Sequence, residues 1–213
     1  MSIITSILRG HDPWCHAMAS PVCHVTTDRA FGLNDSVSAE TRGRPVFVPG
    51  SLSETANFTN PSGKTIHCLQ YGEYVGSIPA PHAQPSQCDR VLYTQNTDAG
   101  HVVFAEMKIT KNPGTKIKQL RETLRQFQCL PEMSEFLAGF ATRRCCFFRK
   151  TPAGIAGMSA VTAFNRLGGL VAGHTSGYRV RNNQLTSVFQ SFQFELWHYS
   201  DGDIYDFDVP GVW

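Results

Sequence analysis

The chain has 213 residues, 41% of them hydrophobic and 14 of them Phe, and a formal net charge of +2. Such a chain can bury a substantial core in one domain, and its apolar content excludes a wholly disordered chain. No apolar run is long enough to span a bilayer and the first residues show no leader pattern, so a soluble, cytoplasmic protein without membrane partners is expected.

Residues 1–44 mix Gly, Ser, Thr, Asp and Asn with scattered apolar residues and no sustained period, which predicts an irregular N-terminal arm. From residue 45 the pattern turns β-like. "PVFVPG" and "TIHCLQY" are strand candidates, the second following the turn signal Asn60-Pro61-Ser62-Gly63. After the Pro-rich "IPAPHAQPSQ", "CDRVLYTQ" and "HVVFAEMKIT" read as two strands of a hairpin around "NTDAG". Ile117, Leu120, Leu124 and Phe127 recur at helical spacing and predict a helix over 115–128, flanked by Lys116, Lys118, Arg121 and Arg125. A shorter helix is expected over 131–140. "RRCCFFRK" is apolar on both parities at its centre, as in a strand buried on both faces. "GIAGMSAVTAFNRLGG" reads as a glycine-weakened helix, "GYRVRN" and "FQFELWHY" as strands, and residues 196–213 as an acidic, aromatic tail.

Charge is unevenly spread along these elements. Residues 106–181 hold 13 Lys/Arg against 4 Asp/Glu, whereas residues 182–213 hold no Lys/Arg and 5 Asp/Glu. A basic middle suits a polyanion, although a solvated helix face gives the same pattern. Seven cysteines, with Cys145 and Cys146 adjacent, fit a reduced compartment and free thiols better than a disulfide framework.

The strand "HVVFAEMKIT" poses a chemical problem, because Glu106 and Lys108 share one face of a segment built for burial. The hairpin can set Asp89 beside them. Two neighbouring carboxylates repel unless a cation lies between them, and an oxygen donor set suits Mg²⁺ or Mn²⁺. A lysine at such a site can act on the attacking water or on charge building at a phosphate. Gln119 on the following basic helix can hydrogen-bond the water or the lysine. The bland alternative is a strand-initiating acid and an exposed ion pair.

With its Cys-Asp strand, hairpin, Phe-x-Glu-x-Lys and Gln-Leu pair, "CDRVLYTQNTDAGHVVFAEMKITKNPGTKIKQLRETL" resembles the core of the PD-(D/E)xK, restriction-endonuclease-like superfamily. The resemblance implies an α/β fold with a central mixed sheet, of four or five strands, flanked by helices. It implies Asp89, Glu106 and the Met107 carbonyl as ligands of Mg²⁺ or Mn²⁺, Lys108 as catalytic lysine and Gln119 as the helix glutamine. The family's upstream helix acid has two candidates, Glu54 and Glu73. The implied function is a metal-dependent endonuclease, with DNA rather than RNA the expected substrate, in prokaryotic restriction or anti-phage defence, with a homodimer or a partner ATPase as further expectations. Lys116, Lys118, Arg121 and Arg125 are the candidate nucleic-acid contacts.

The expected organisation is therefore an arm over 1–44, a nuclease-like domain over 45–195 and a tail over 196–213. Two other readings stand beside it. One is an inactive nuclease-fold protein that docks a partner through its basic face or acidic tail. The other is a zinc-stabilised adaptor using Cys15, His16, Cys23 and His24.

Overall fold

In the computed structural model, residues 2–19, 22–34, 46–52, 54–82, 87–95, 100–108, 114–149, 170–172, 177–181, 183–200 and 202–210 are described. The chain opens with α1 (Ile3–Arg9), a 3-10 turn (Trp14–His16), β1 (Cys23–Thr26), β2 (Ala30–Asn34), β3 (Val46–Pro49), β4 (Ala56–Thr59), β5 (Ile66–Leu69) and α2 (Tyr71–Gly76). It continues with β6 (Arg90–Thr94), β7 (His101–Lys108), α3 (Gly114–Gln128), α4 (Pro131–Ala138), β8 (Thr142–Arg149), β9 (Leu170–Ala172) and β10 (Tyr178–Val180). The last elements are α5 (Asn183–Ser191), β11 (Glu195–Tyr199) and β12 (Ile204–Asp206).

Among the described residues the strands form a large mixed sheet, β1-β5-β6-β7-β8-β11-β10-β9, and a small one, β12-β4-β2-β3. The fold class is α/β, as expected, but the principal sheet has eight strands rather than four or five. Its centre is parallel: β7 pairs with β8 and β8 with β11, whereas β5, β6 and β7 run antiparallel to one another. Parallel neighbours need long crossovers, and α3, α4 and α5 lie in them.

Side-chain alternation splits the interior into two cores. Val102 and Phe104 of β7, with Cys145 and Phe147 of β8, face Leu120, Leu124 and Phe127 of α3. The opposite parity, Val103, Ala105 and Met107 with Cys146 and Phe148, packs against Phe31, Leu33 and Phe58 of the small sheet. Helices flank the large sheet, as expected, and pack on one of its faces, while the small sheet covers the other. β8 serves both cores, and this is why its centre is continuously apolar.

The ends of the sequence differ most from expectation. Ser2 caps α1 by accepting the Thr5 N–H, and Ile4, Leu8 and Trp14 are buried in the helix-side core. β1 joins the large sheet through β5, and β2 is an inner strand of the small one. The described residues of 1–44 thus supply a helix and two strands instead of an irregular arm. At the other end β11 is an inner strand, and Tyr205 and Phe207 fill the inter-sheet core. Asp208 is held by Ser62 and Lys64, and Asp203 accepts the Ser200 N–H, so these tail acids are engaged locally.

The helix expected over 154–169 lies outside the described residues, as does the hairpin turn at 96–99. All seven cysteines are free. No helix among the described residues is long and apolar enough to cross a membrane.

Candidate active site

Asp89 directly precedes β6, and the antiparallel register pairs Arg90 with Ala105. One further step of that register sets Asp89 across from Glu106. The Met107 N–H donates to the Asp89 Oδ2 at 2.8 Å, which ties the half-buried carboxylate to the end of β7. In an extended strand the N–H and C=O of one residue leave on the same edge, so the Met107 carbonyl also faces the Asp89 strand.

Glu106 has the parity of Val102 and Phe104, points to the helix side and is fully buried. Burial pushes the neighbouring Cys88 thiol well up, with the Glu106 charge the next cause and Asp89 a smaller one. Cys88 is therefore an inert, packed thiol beside two acids. Lys108 is paired through its backbone with the Arg149 position of β8. The Lys108 side chain lies outside the described residues, and so does that of Lys116.

α3 is docked onto the chain just before Asp89. Gln119 donates from Nε2 to the Gln87 carbonyl at 2.9 Å, and the Cys88 N–H donates to the Thr123 Oγ1 at 2.9 Å. The Thr123 hydroxyl also lies 3.0 Å from the Gln119 carbonyl and 3.1 Å from the Gln87 Oε1. One turn apart on α3, Gln119 and Thr123 fix the approach to β6. On the outer face Lys118 is exposed, whereas Arg121 and Arg125 both lie 3.4 Å from the Glu122 Oε1. An acid between them lowers the positive potential that this face offers a phosphate chain.

α2 closes the other side. The Gly72 N–H donates to the Asp89 carbonyl at 3.2 Å. A Cβ on Gly72 would stand 3.0 Å from the Cys88 oxygen and 3.4 Å from the Asp89 Cα, so any larger residue must push this backbone back by a few tenths of an ångström. The next residue, Glu73, lies 3.7 Å from the Nη2 of Arg90, which is itself buried. Glu54 instead accepts a hydrogen bond from Ser51 beside the small sheet. Of the two upstream acids, Glu73 is thus the one on a helix against the Asp89 strand.

Sequence reasoning missed Gly72, Gln87 and Thr123, because their roles arise only when α2 and α3 dock on residues 87–89. The proposed zinc set does not assemble. Cys23 lies 4.0 Å from the His67 Nδ1 and His24 stacks on Phe47, while His16 turns to Asp12 and His82. β1 pairing fixes Cys23 and His24 on opposite faces of a strand, so they cannot share an ion with Cys15 and His16.

No protein-family model matches the chain, and no curated protein or solved structure shows significant similarity to it.

Proposed function

We propose that the chain is a metal-dependent nuclease with a restriction-endonuclease-like core, hydrolysing phosphodiester bonds with DNA as the favoured substrate. The observation that carries this reading is the hydrogen-bonded rung at the end of the β6–β7 hairpin. There Asp89 accepts the Met107 N–H, opposite the buried Glu106. These two carboxylates and the Met107 carbonyl form an all-oxygen set of the kind that fits Mg²⁺ or Mn²⁺. A bound ion supplies Lewis acidity and an acidified water there. Lys108, two residues beyond Glu106 on the same strand, stabilises charge developing on the phosphate or relays the water's proton. Gln119 holds α3 against the Asp89 strand and keeps the acids in position. Lys118 is the exposed candidate for phosphate contact, with Lys116, Arg121 and Arg125 on the same helix. A cytoplasmic role in restriction or anti-phage defence, with a homodimer or an ATPase partner, belongs to the same proposal.

One observation favours the non-enzymatic, partner-docking reading of the same fold. Gln119 spends its amide on the Gln87 carbonyl, a scaffolding contact with no need of substrate.

The experiment is a cleavage assay on supercoiled, linear and single-stranded DNA and on RNA, with and without Mg²⁺ or Mn²⁺. Asp89→Ala and Glu106→Ala should lose cleavage and Mn²⁺ affinity together. Lys108→Ala should bind Mn²⁺ yet turn over orders of magnitude more slowly, and Gln119→Ala should lose about tenfold. A parent protein that binds no Mn²⁺ and cuts none of the substrates would leave the docking reading in possession.

A further inference from the structure

A second cluster of ligating side chains lies where the N-terminal segment meets the loop after α2. Asp12 lies just before the 3-10 turn and His16 ends it, and the His16 Nε2 lies 2.9 Å from the Asp12 Oδ1. His82 arrives from a distant part of the sequence, its Nδ1 3.9 Å from the same carboxylate oxygen. The two imidazoles stack with centroids 4.1 Å apart and planes 17° from parallel. All three ligand atoms fall within 4.8 Å of one another, and no other group of three or more metal-ligating side chains is so close among the described residues.

The scaffold behind this cluster is anchored. Trp14 is buried in the helix-side core, and its carbonyl accepts the Tyr74 hydroxyl at 2.9 Å. The Met18 N–H donates to the Ser77 carbonyl and the Ala19 N–H to the Ser77 Oγ. Those contacts hold residues 12–19 against α2 and the turn that follows it, so Asp12 and His16 meet His82 through packing rather than through exposed side chains alone.

We propose that Asp12, His16 and His82 form a transition-metal site of the Zn²⁺ class, separate from the carboxylate pair at Asp89 and Glu106. Bonds of about 2.0–2.1 Å to a tetrahedral Zn²⁺ put ligand atoms roughly 3.3 Å apart, and the observed 2.9 and 3.9 Å bracket that spacing. Two imidazoles and one carboxylate suit Zn²⁺, whereas Mg²⁺ prefers oxygen alone. Near-parallel stacked rings cannot both hold one ion in their planes. Binding therefore turns one imidazole about χ2, a soft torsion for a side chain at the surface. Three protein ligands leave the fourth position to water, and the bound ion staples the N-terminal segment to the loop after α2.

The test titrates tag-free, full-length, reduced protein with Zn²⁺ by calorimetry and with Co²⁺ by visible absorption. The parent should bind one ion at this site, with the d–d bands of tetrahedral Co²⁺. His16→Ala and His82→Ala should each lower Zn²⁺ affinity about a hundredfold or more and abolish those bands, since losing even an outer-shell partner costs about 10–100-fold. Asp12→Asn should lose at least about tenfold by the same comparison. Cys15→Ser and Asp89→Ala should keep the site. A parent that takes up no Zn²⁺ or Co²⁺ overturns the proposal. So does a His82→Ala variant that binds like the parent, or a Cys15→Ser variant that loses the ion.

Discussion

Replacing Glu106 with Gln separates a metal-holding acid from a structural one. The amide keeps the shape of the side chain and removes its charge. The β6–β7 register sets Asp89 across from Glu106, and directly opposed residues of an antiparallel pair have Cβ atoms about 5 Å apart. Two full charges at about 5 Å would repel by about 3 kcal/mol at an effective dielectric of about 20, an upper bound because a proton taken up by the pair relieves part of it. The Met107 N–H still bonds Asp89 in the variant, so the opposing carboxylate stays in place. Without metal, Glu106→Gln should therefore be more stable than the parent by about 1–3 kcal/mol, each kcal/mol raising Tm by about 2–4 °C at this chain length. Saturating metal reverses the order. At a hundred times its Kd, Mn²⁺ stabilises the parent by about 2.7 kcal/mol, and the variant should respond far less. Thermal melts in EDTA and in excess Mn²⁺ read both effects, and the crossing of the two proteins is the signature. A variant less stable in EDTA, with the parent's full response to Mn²⁺, would refute the reasoning and make Glu106 a structural hydrogen-bonding group.

Gly72→Ala should push α2 off residues 88–89, cost about 1–3 kcal/mol and weaken Mn²⁺ binding, because the new Cβ meets the Cys88 oxygen at 3.0 Å; urea titration and calorimetry read the two effects. A chain ending at Ser200 loses Tyr205 and Phe207, whose burial stabilises by about 1.5–3 kcal/mol each, so its urea midpoint should fall steeply; an unchanged midpoint would put β12 outside the core. Acid should destabilise the fold early. Burial holds His101 at about 3, with help from Lys64 and Arg144, and burial with Arg149 holds His198 at about 3. Below the usual histidine value of about 6.5 the unfolded chain binds these protons and the folded one does not, so stability falls as pH drops from 6.5 toward 3, by up to about 1.4 kcal/mol per pH unit for each histidine. Melts between pH 6.5 and 5, above most carboxylate titration, should show a shallower slope in His101→Gln, and an unchanged slope would mean that water reaches the ring.

The parts of the fold legible in the sequence are those whose period reports burial directly. Both-face burial shows in β8 as an unbroken apolar centre, and α3 displays its buried stripe at Ile117, Leu120, Leu124 and Phe127. The β6–β7 hairpin is local, so the neighbourhood of Asp89 and Glu106 follows from a short loop. Of the small sheet only β3 was expected, and its other strands were hidden for physical reasons. β2 and β4 are short strands, "AFGLN" and "ANFT", buried almost throughout and too brief to display alternation. In and just after β12, Tyr205 and Phe207 do alternate with Asp206 and Asp208, but the acidic composition around them suggested a solvated tail. α2 carries two glycines that weaken any helical signal, and one of them is what lets it touch Asp89. Glu73 and Thr123 become neighbours of the site only through such docking, which no spacing along the chain encodes.

The parallel pairing of Ile204 with Asn57 joins positions separated by most of the chain. Loop closure over that span must precede any reward from the contact, which slows folding. During synthesis from the N-terminus, Phe31 and Phe58 emerge long before the Tyr205 and Phe207 that pack against them. The nascent chain therefore carries a half-covered aromatic surface throughout the synthesis of residues 59–204. A ribosome stalled before residue 204 would present that surface to chaperones, and a premature stop there would yield an aggregation-prone product rather than a smaller working protein.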